Sequence, residues 1–221
     1  MDIAFIVDNT GSMSDAPLTQ LKNRIANVLD TIEAASGNDY RLALVTPDDD
    51  QVDVMLSFSI NNRSAFVTAL NAVTDPPNNG DGTPESTDEC LNTVLNALSA
   101  ANRQNPRECS PPSSPLQYNN FTPGFRTNVL KLVVMITDHE PGGFCDNGDN
   151  GYQAGIYAQQ ARDNCVHINA VQVGNNRDAT PVMQNYYQTS CGWHEQVGYD
   201  GIGIADDVVR MFYVSGYCNC Q

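Results

Sequence analysis

Two apolar runs in the chain lack the polar alternation of a half-exposed strand. They are Ile3-Ala4-Phe5-Ile6-Val7 and the stretch Val129 to Thr137 (VLKLVVMIT). Such runs are expected of strands covered on both faces, as in a parallel sheet, and here each ends on an aspartate, Asp8 or Asp138. Beyond the first, Leu18, Leu21, Ile25, Val28, Leu29 and Ile32 recur at helical spacing, with Pro17 in the first turn and Gly37 just past the end. Tyr40 to Thr46 reads as a second strand. Val52, Val54, Leu56 and Phe58 alternate with polar or smaller residues as a third. The acidic Pro47-Asp48-Asp49-Asp50 between them reads as a turn, which predicts a hairpin at one edge of the sheet.

A short helix over about 63–73 leads to the turn-rich segment 75–82. Thr83-Pro84 then opens a helix with a core face of Leu91, Val94, Leu95 and Leu98, because Thr caps an orphan N–H and Pro has none to orphan. Residues 105–127 contain Pro106, Pro111, Pro112, Pro115, Pro123 and Cys109, which predicts an irregular, disulfide-stapled insertion. After the glycine- and Asp-rich loop 142–151, the pattern gives a helix near 153–164 and a strand over 166–173. A helix near 180–189, a weak strand near 195–199 and a final helix near 205–213 follow. Strands alternating with helices predict a three-layer α/β/α sandwich, Rossmann-like, with a mostly parallel sheet and one antiparallel edge strand. A chain of 221 residues with 41% hydrophobic content fits this as a single domain over 1–221.

Charge narrows the choice of partner. A net charge of -15 repels phosphate backbones and anionic lipid headgroups, so nucleic acid is excluded as a partner. No stretch has the length of a membrane span, which argues against direct insertion. The seven cysteines all lie at or beyond Cys90, and none forms a Cys-x-x-Cys pair. The economical reading is a set of disulfides in an exported protein, extracellular or at the cell surface, with the odd count leaving one thiol over. An apolar strand follows Met1 almost at once, with no leader, so the chain reads as part of a longer multidomain protein. The tripeptides Asn62-Arg63-Ser64 and Asn120-Phe121-Thr122 match a glycosylation acceptor but are too short to carry weight.

The chemistry lies at the two strand ends. Open α/β sheets bind ligands outside the carboxyl ends of their strands, where Asp8 and Asp138 sit. Asp8-Asn9-Thr10-Gly11-Ser12 sets one carboxylate and two hydroxyls at alternate positions on a tight loop, an all-oxygen set suited to a hard cation. Asp8-x-Thr10-x-Ser12, followed by Met13, resembles the metal-ion-dependent adhesion site of von Willebrand factor A (VWA) domains, whose usual first motif is Asp-x-Ser-x-Ser. Val133 to Asp138, followed two residues later by Glu140-Pro141, resembles that family's later strand and its metal-site aspartate. The resemblance runs through the element order of the whole chain. It implies one divalent cation, magnesium first and manganese or calcium as alternatives, approached by Asp8, Thr10 and Ser12, with Asp138 holding a coordinated water. It also implies a protein or glycan partner whose acidic group supplies a remaining ligand. Asn9, His139 and Glu140, flanking the ligands, are then the candidates for partner contact.

The chain departs from the family pattern at the middle motif. Gly80-Asp81-Gly82-Thr83-Pro84-Glu85 places Gly82 where a glycine-rich variant has Asp, so either Thr83 or Asp81 fills the role with a slight shift or the ion has lost a ligand. Thr83 is equally explained as a helix cap, and Asp81 as a turn residue. Asp146-Asn147-Gly148-Asp149-Asn150 is shaped like a calcium loop but lacks the spacing of an EF-hand and reads as a solvated turn. His167, His194 and Trp193 read as packing or loop residues. No Gly-x-Ser-x-Gly elbow or His-Glu-x-x-His motif is present, so a metal-assisted hydrolase is disfavoured and the expectation is a non-enzymatic binding module. The alternative is a structural or assembly domain of a larger surface or pilus protein, in which the metal only stiffens loops. Some members of the family switch by sliding their last helix, and a disulfide in the Cys218-Asn219-Cys220 tail would clamp that motion.

Overall fold

The computed structural model describes residues 1–13, 15–48, 51–74, 86–103, 116–143 and 150–214. In chain order the elements are β1 (Asp2–Val7), α1 (Asp15–Ser36), β2 (Arg41–Asp48), β3 (Gln51–Ile60), α2 (Arg63–Ala72) and α3 (Thr87–Asn96). They continue with β4 (Gln117–Tyr118), β5 (Lys131–Thr137), α4 (Asn150–Asp163), β6 (Val166–Val173), α5 (Ala179–Ser190), β7 (His194–Val197) and α6 (Ile204–Val214). The strands form one sheet in the order β4-β3-β2-β1-β5-β6-β7, parallel except where β3 pairs with β2.

All six residues of β1 are buried because both faces of the strand are covered. Ile3, Phe5 and Val7 enter the core formed with α1, α2 and α6, whereas Ala4 and Ile6 enter the core formed with α3, α4 and α5. The three layers follow from that division. In α1 the predicted stripe is buried at all six positions, and the helix gives way to Gly37 at φ +61°, a left-handed conformation glycine takes without a Cβ penalty. Phe66 of α2 is fully buried with its ring centroid 4.9 Å from that of Phe5. Each such side chain contributes about 1.5–3 kcal/mol on burial, so Leu29→Ala in α1 would cost about 2–5 kcal/mol once the cavity is included.

The sheet edge differs from the sequence expectation. β3 is antiparallel to β2 as predicted, but it is not the edge; β4 pairs beside it in parallel, from within the stretch predicted to be an irregular insertion. A buried glutamine makes this possible. Gln117 is 1% exposed, yet its Nε2 donates to the Leu98 and Asn119 carbonyls and its Oε1 accepts from Thr93. Phe121 follows, fully buried with its ring 5.4 Å from that of Phe58. Helix α3 opens at Thr87, with Ser86 before it, rather than at Thr83-Pro84, which lies outside the described residues. It stops at Ala97 in a left-handed conformation, so Leu98 falls beyond the helical face it was assigned to.

The cysteines also depart from the expected single spare thiol. Cys90 and Cys165 are both free, and Cys90 sits in the core, where a thiol packs as a small hydrophobe. Cys191 is disulfide-bonded. The Cys109 staple, the 146–150 tract apart from Asn150, and the Cys218-Cys220 tail lie outside the described residues. No helix among the described residues is long and apolar enough to cross a membrane.

At its amino end β1 carries Asp2, fully buried between two arginines. Arg41 Nε donates to Asp2 Oδ1 at 3.0 Å, Arg126 Nε donates to the same oxygen at 2.9 Å, and the Arg126 backbone N–H donates to Oδ2 at 2.7 Å. At the other end of the molecule, the loop after β7 rests on the first turn of α1. Gly201 has φ +66°, and a Cβ there would lie 2.5 Å from Pro17 Cα, so only glycine fits.

Candidate metal centre

From β1 the chain passes through α1 to β2 on one side, whereas from β5 it passes through α4 to β6 on the other. The adjacent strands β1 and β5 therefore flank the switch point, where a doubly wound sheet opens a crevice at its carboxyl edge. In-register pairing, Val7 opposite Ile136, brings the two strand ends level, and Asp8 N–H donates to the Ile136 carbonyl at 2.9 Å. Asp8 and Asp138 are thereby delivered to one place. Both are buried, at 0% and 1% exposure.

Each carboxylate is held by hydroxyls. Asp8 Oδ1 accepts from the Thr10 backbone N–H at 2.9 Å and from Thr10 Oγ1 at 2.7 Å. Its Oδ2 accepts from Thr137 Oγ1 at 2.6 Å. Ser12 Oγ donates to Asp138 Oδ1 at 3.1 Å and lies 3.3 Å from Thr10 Oγ1. With their protons spent on carboxylates, the Thr10 and Ser12 oxygens retain lone pairs. The tight loop is closed by Met13 N–H donating to the Thr10 carbonyl at 3.1 Å, and the buried Met13 side chain anchors it in the core.

No lysine or arginine reaches either carboxylate among the described residues. His139 Nδ1 approaches Asp138 Oδ1 at 3.1 Å, a charge contact without hydrogen-bond alignment. Burial raises the Asp8 carboxyl pKa, and the nearby Asp138 charge raises it further against the hydroxyl and N–H donors. The Asp138 carboxylate raises the His139 pKa, opposed by partial burial of the ring. The site is thus a buried pair of like charges with hydroxyl oxygens between them, an arrangement a cation relieves.

The donor set fits a hard cation. Oxygens at adjacent vertices of an octahedron with bonds of roughly 2.0–2.1 Å lie about 2.9 Å apart, and longer calcium bonds widen that to about 3.4 Å. The 3.3 Å between the Thr10 and Ser12 hydroxyl oxygens falls in that interval, and the 2.7 Å between Thr10 Oγ1 and Asp8 Oδ1, now a hydrogen bond, would widen slightly once an ion sat between them. No group of three His, Cys, Asp or Glu side chains converges among the described residues, so hydroxyls and water would have to complete the coordination. The middle-motif candidates Thr83 and Asp81 lie outside the described residues. Asp88, which the sequence reading passed over, is fully buried in the first turn of α3, and its N–H donates to the Gly142 carbonyl at 3.0 Å. That bond ties the helix to the loop after Asp138.

Of the candidate contact residues, Asn9 points its Nδ2 at the Thr74 carbonyl at 3.1 Å, and His139 and Glu140 are half-buried at the rim. Thr137, whose hydroxyl bonds Asp8, is the residue of this crevice that sequence reasoning missed. A hydroxyl closing an otherwise apolar strand directly before Asp138 was its one available signal. His167 and His194 lie away from the crevice, one bonded to the Ser190 and Cys191 carbonyls and the other stacked on Tyr187.

Comparison with known proteins agrees with this architecture. The von Willebrand factor type A domain family profile matches residues 2–185. No curated protein sequence matches the chain. Among solved structures, the SpRpn10 VWA domain is similar at a TM-score of 0.60 and 12% identity, covering 99% of this chain and 98% of that one. Proximal thread matrix protein 1 from the mussel byssus is similar at a TM-score of 0.61 and 19% identity over 95% of this chain. This chain spans 45% of that thread protein's length. A second crystal form of the same protein gives a TM-score of 0.59 at 20% identity.

Proposed function

Because this chain belongs to the von Willebrand factor type A domain family, whose fold often mediates protein–protein interaction, we propose that it is a binding module that works through one divalent cation. The observation that carries this reading is the pair of buried carboxylates, Asp8 and Asp138, bridged by the Thr10 and Ser12 hydroxyls and unmatched by any lysine or arginine among the described residues. Asp8, Thr10 and Ser12 would hold the ion, Asp138 would hold a water on it, and Thr83 or Asp81 would be the middle ligand. With so few carboxylates around it, a bound cation would supply unneutralised positive charge for an acidic group of a protein or glycan partner. A hydrolase is the weaker reading, since among the described residues the base beside this set is His139, and it leans on Asp138. Magnesium is the first choice of ion. The disulfide at Cys191 supports a place outside the cell.

The test is calorimetric titration of chelated protein with magnesium, manganese and calcium. Saturable binding of one equivalent, abolished by Asp8→Ala, is expected, and undiminished binding by that variant overturns the reading. Thr83→Ala and Asp81→Ala, titrated alongside, identify the middle ligand by which of them loses affinity. Metal that raises the melting temperature without changing the affinity for an acidic probe, such as N-acetyl-aspartate amide, would instead mark a purely structural ion.

A further inference from the structure

A shallow cleft of about 390 Å³ lies at the carboxyl edge of the sheet, walled by Gly174 and Asn175 at the end of β6 and by Gln196, Val197, Gly198 and Tyr199 at the end of β7. No residue of this lining is charged. A Cβ on Gly174 would meet Cζ, Cε1 and Cε2 of Tyr199 at 2.2, 2.5 and 2.6 Å, nearly equal distances that place the ring face-on to the Gly174 backbone. One face of the ring is therefore covered, and with Tyr199 50% exposed its other face is open. Two amides stand beside it. Gln196 Nε2 donates to the Gly174 carbonyl, which holds that side chain and leaves its Oε1 as an acceptor, and the exposed Asn175 amide carries both a donor and an acceptor.

Val197 is the one aliphatic side chain in this lining, and it is buried, so the cleft lacks the apolar depth to desolvate a leucine or phenylalanine anchor of a protein partner. A pyranose ring is matched instead. One of its faces presents weakly positive C–H groups, which suit the negative face of an aromatic ring, and its rim carries hydroxyls that both donate and accept, as side-chain amides do. The volume falls within the roughly 300–1,000 Å³ of small-ligand clefts. The β5–β6 register sets Thr137 beside Gln172 and the β6–β7 register sets Val173 beside Val197, so Asp138 and the cleft stand at one level of the sheet edge. With strands about 4.8 Å apart, one to two strands separate them, about 5–10 Å.

We propose that this cleft seats a neutral pyranose ring of a glycan partner, next to the sugar whose carboxylate the cation takes. The inference rests on the cation-dependent reading above and narrows its partner from a protein or glycan to a glycan. A net charge of -15 repels a densely acidic polymer, so the glycan recognised carries isolated acids among neutral sugars.

The experiment is a nuclear magnetic resonance titration of the isotope-labelled chain with cellobiose, lactose and cellobiouronic acid, each in magnesium and in chelator. Saturable shifts are expected at Gly174, Asn175, Gln196 and Tyr199 with at least one neutral disaccharide, to the same extent in both conditions. Cellobiouronic acid, which sets one carboxylate beside a neutral ring, should bind about tenfold tighter in magnesium than in chelator. Tyr199→Ala should weaken the neutral sugar about three- to tenfold, the scale of one aromatic contact, whereas Tyr199→Phe keeps the ring and should retain binding. Unchanged core amide resonances check that both variants are folded. Absence of saturable shifts with all three sugars overturns the cleft, as does equal binding by Tyr199→Ala. Shifts at the same residues with N-acetyl-phenylalanine amide and with no sugar assign the cleft to a protein side chain and overturn the proposal too. Sugar binding at Tyr199 without any magnesium response at Ser12 and His139 upholds the cleft and overturns the cation.

Discussion

The two ends of β1 carry the same side chain in opposite circumstances. Asp2 and Asp8 are both fully buried, yet Asp2 lies between Arg41 and Arg126 whereas Asp8 faces a second carboxylate across two hydroxyls. Burial pushes the Asp2 carboxyl upward, but the two guanidinium groups outweigh it and hold the group below the ordinary carboxylate range. At Asp8 burial and the Asp138 charge push in the same direction, and the pKa rises. Asp2 arrives with its counter-charge built in from the chain. Asp8 has no such partner among the described residues, and on the proposed reading that deficit is what a cation would fill.

The largest expected effect is at the paired end. Asp2→Ala leaves a buried Arg41 uncompensated and should cost about 3 kcal/mol or more in urea unfolding, whereas Asp8→Asn removes a like-charge repulsion and should cost less than about 1 kcal/mol in chelator. Equal losses in the two variants would break the comparison. Next is the cation itself: at a free magnesium concentration about a hundredfold above Kd, stability should rise by about 2.7 kcal/mol, a gain absent in Asp8→Asn and retained in Arg126→Ala. Thr137→Val removes the hydroxyl that orients Asp8 Oδ2 and should lower magnesium affinity about 10- to 100-fold by calorimetry, with the melting temperature in chelator nearly unchanged. Arg126→Ala, on the more exposed of the two arginines, should cost about 1.5 kcal/mol, less than Asp2→Ala.

The smallest effect is in acid. Because the folded Asp2 carboxyl titrates below its unfolded value, its contribution is complete above the unfolded pKa of about 3.9. It is lost as pH falls through the depressed folded pKa. Urea unfolding between pH 5 and 2 should therefore show a shallower acid limb in Asp2→Ala than in the parent chain.

The asymmetry between the two ends was only half legible in the sequence. β1, β5 and the stripe of α1 could be read because burial on both faces, or on one helical face, writes itself as local periodicity. Asp8 and Asp138 could be read because each closes such a run. The partners that decide their character could not: Arg41 and Arg126 reach Asp2 from 39 and 124 residues away, and no local pattern encodes such a pairing. Thr137 looked like the last residue of a strand until the in-register pairing of β1 with β5 placed its hydroxyl on Asp8. β4 escaped notice because a two-residue strand carried by a buried, fully bonded glutamine looks polar in sequence. The sheet edge was therefore assigned one strand too early.

The contact of Gly201 with Pro17 bears on when the cation loop becomes firm. Thr10 and Ser12 lie just before the first turn of α1, and that turn is propped from outside by the loop between β7 and α6, about 190 positions later in the chain. During synthesis Asp8, Thr10, Ser12 and Asp138 have all emerged one residue after β5 is complete, yet the loop that props the first turn of α1 follows only after β7. In hydrogen exchange α1 and α6 should then open together as one cooperative unit, and the amides of residues 10–13 should gain protection only when that unit is closed.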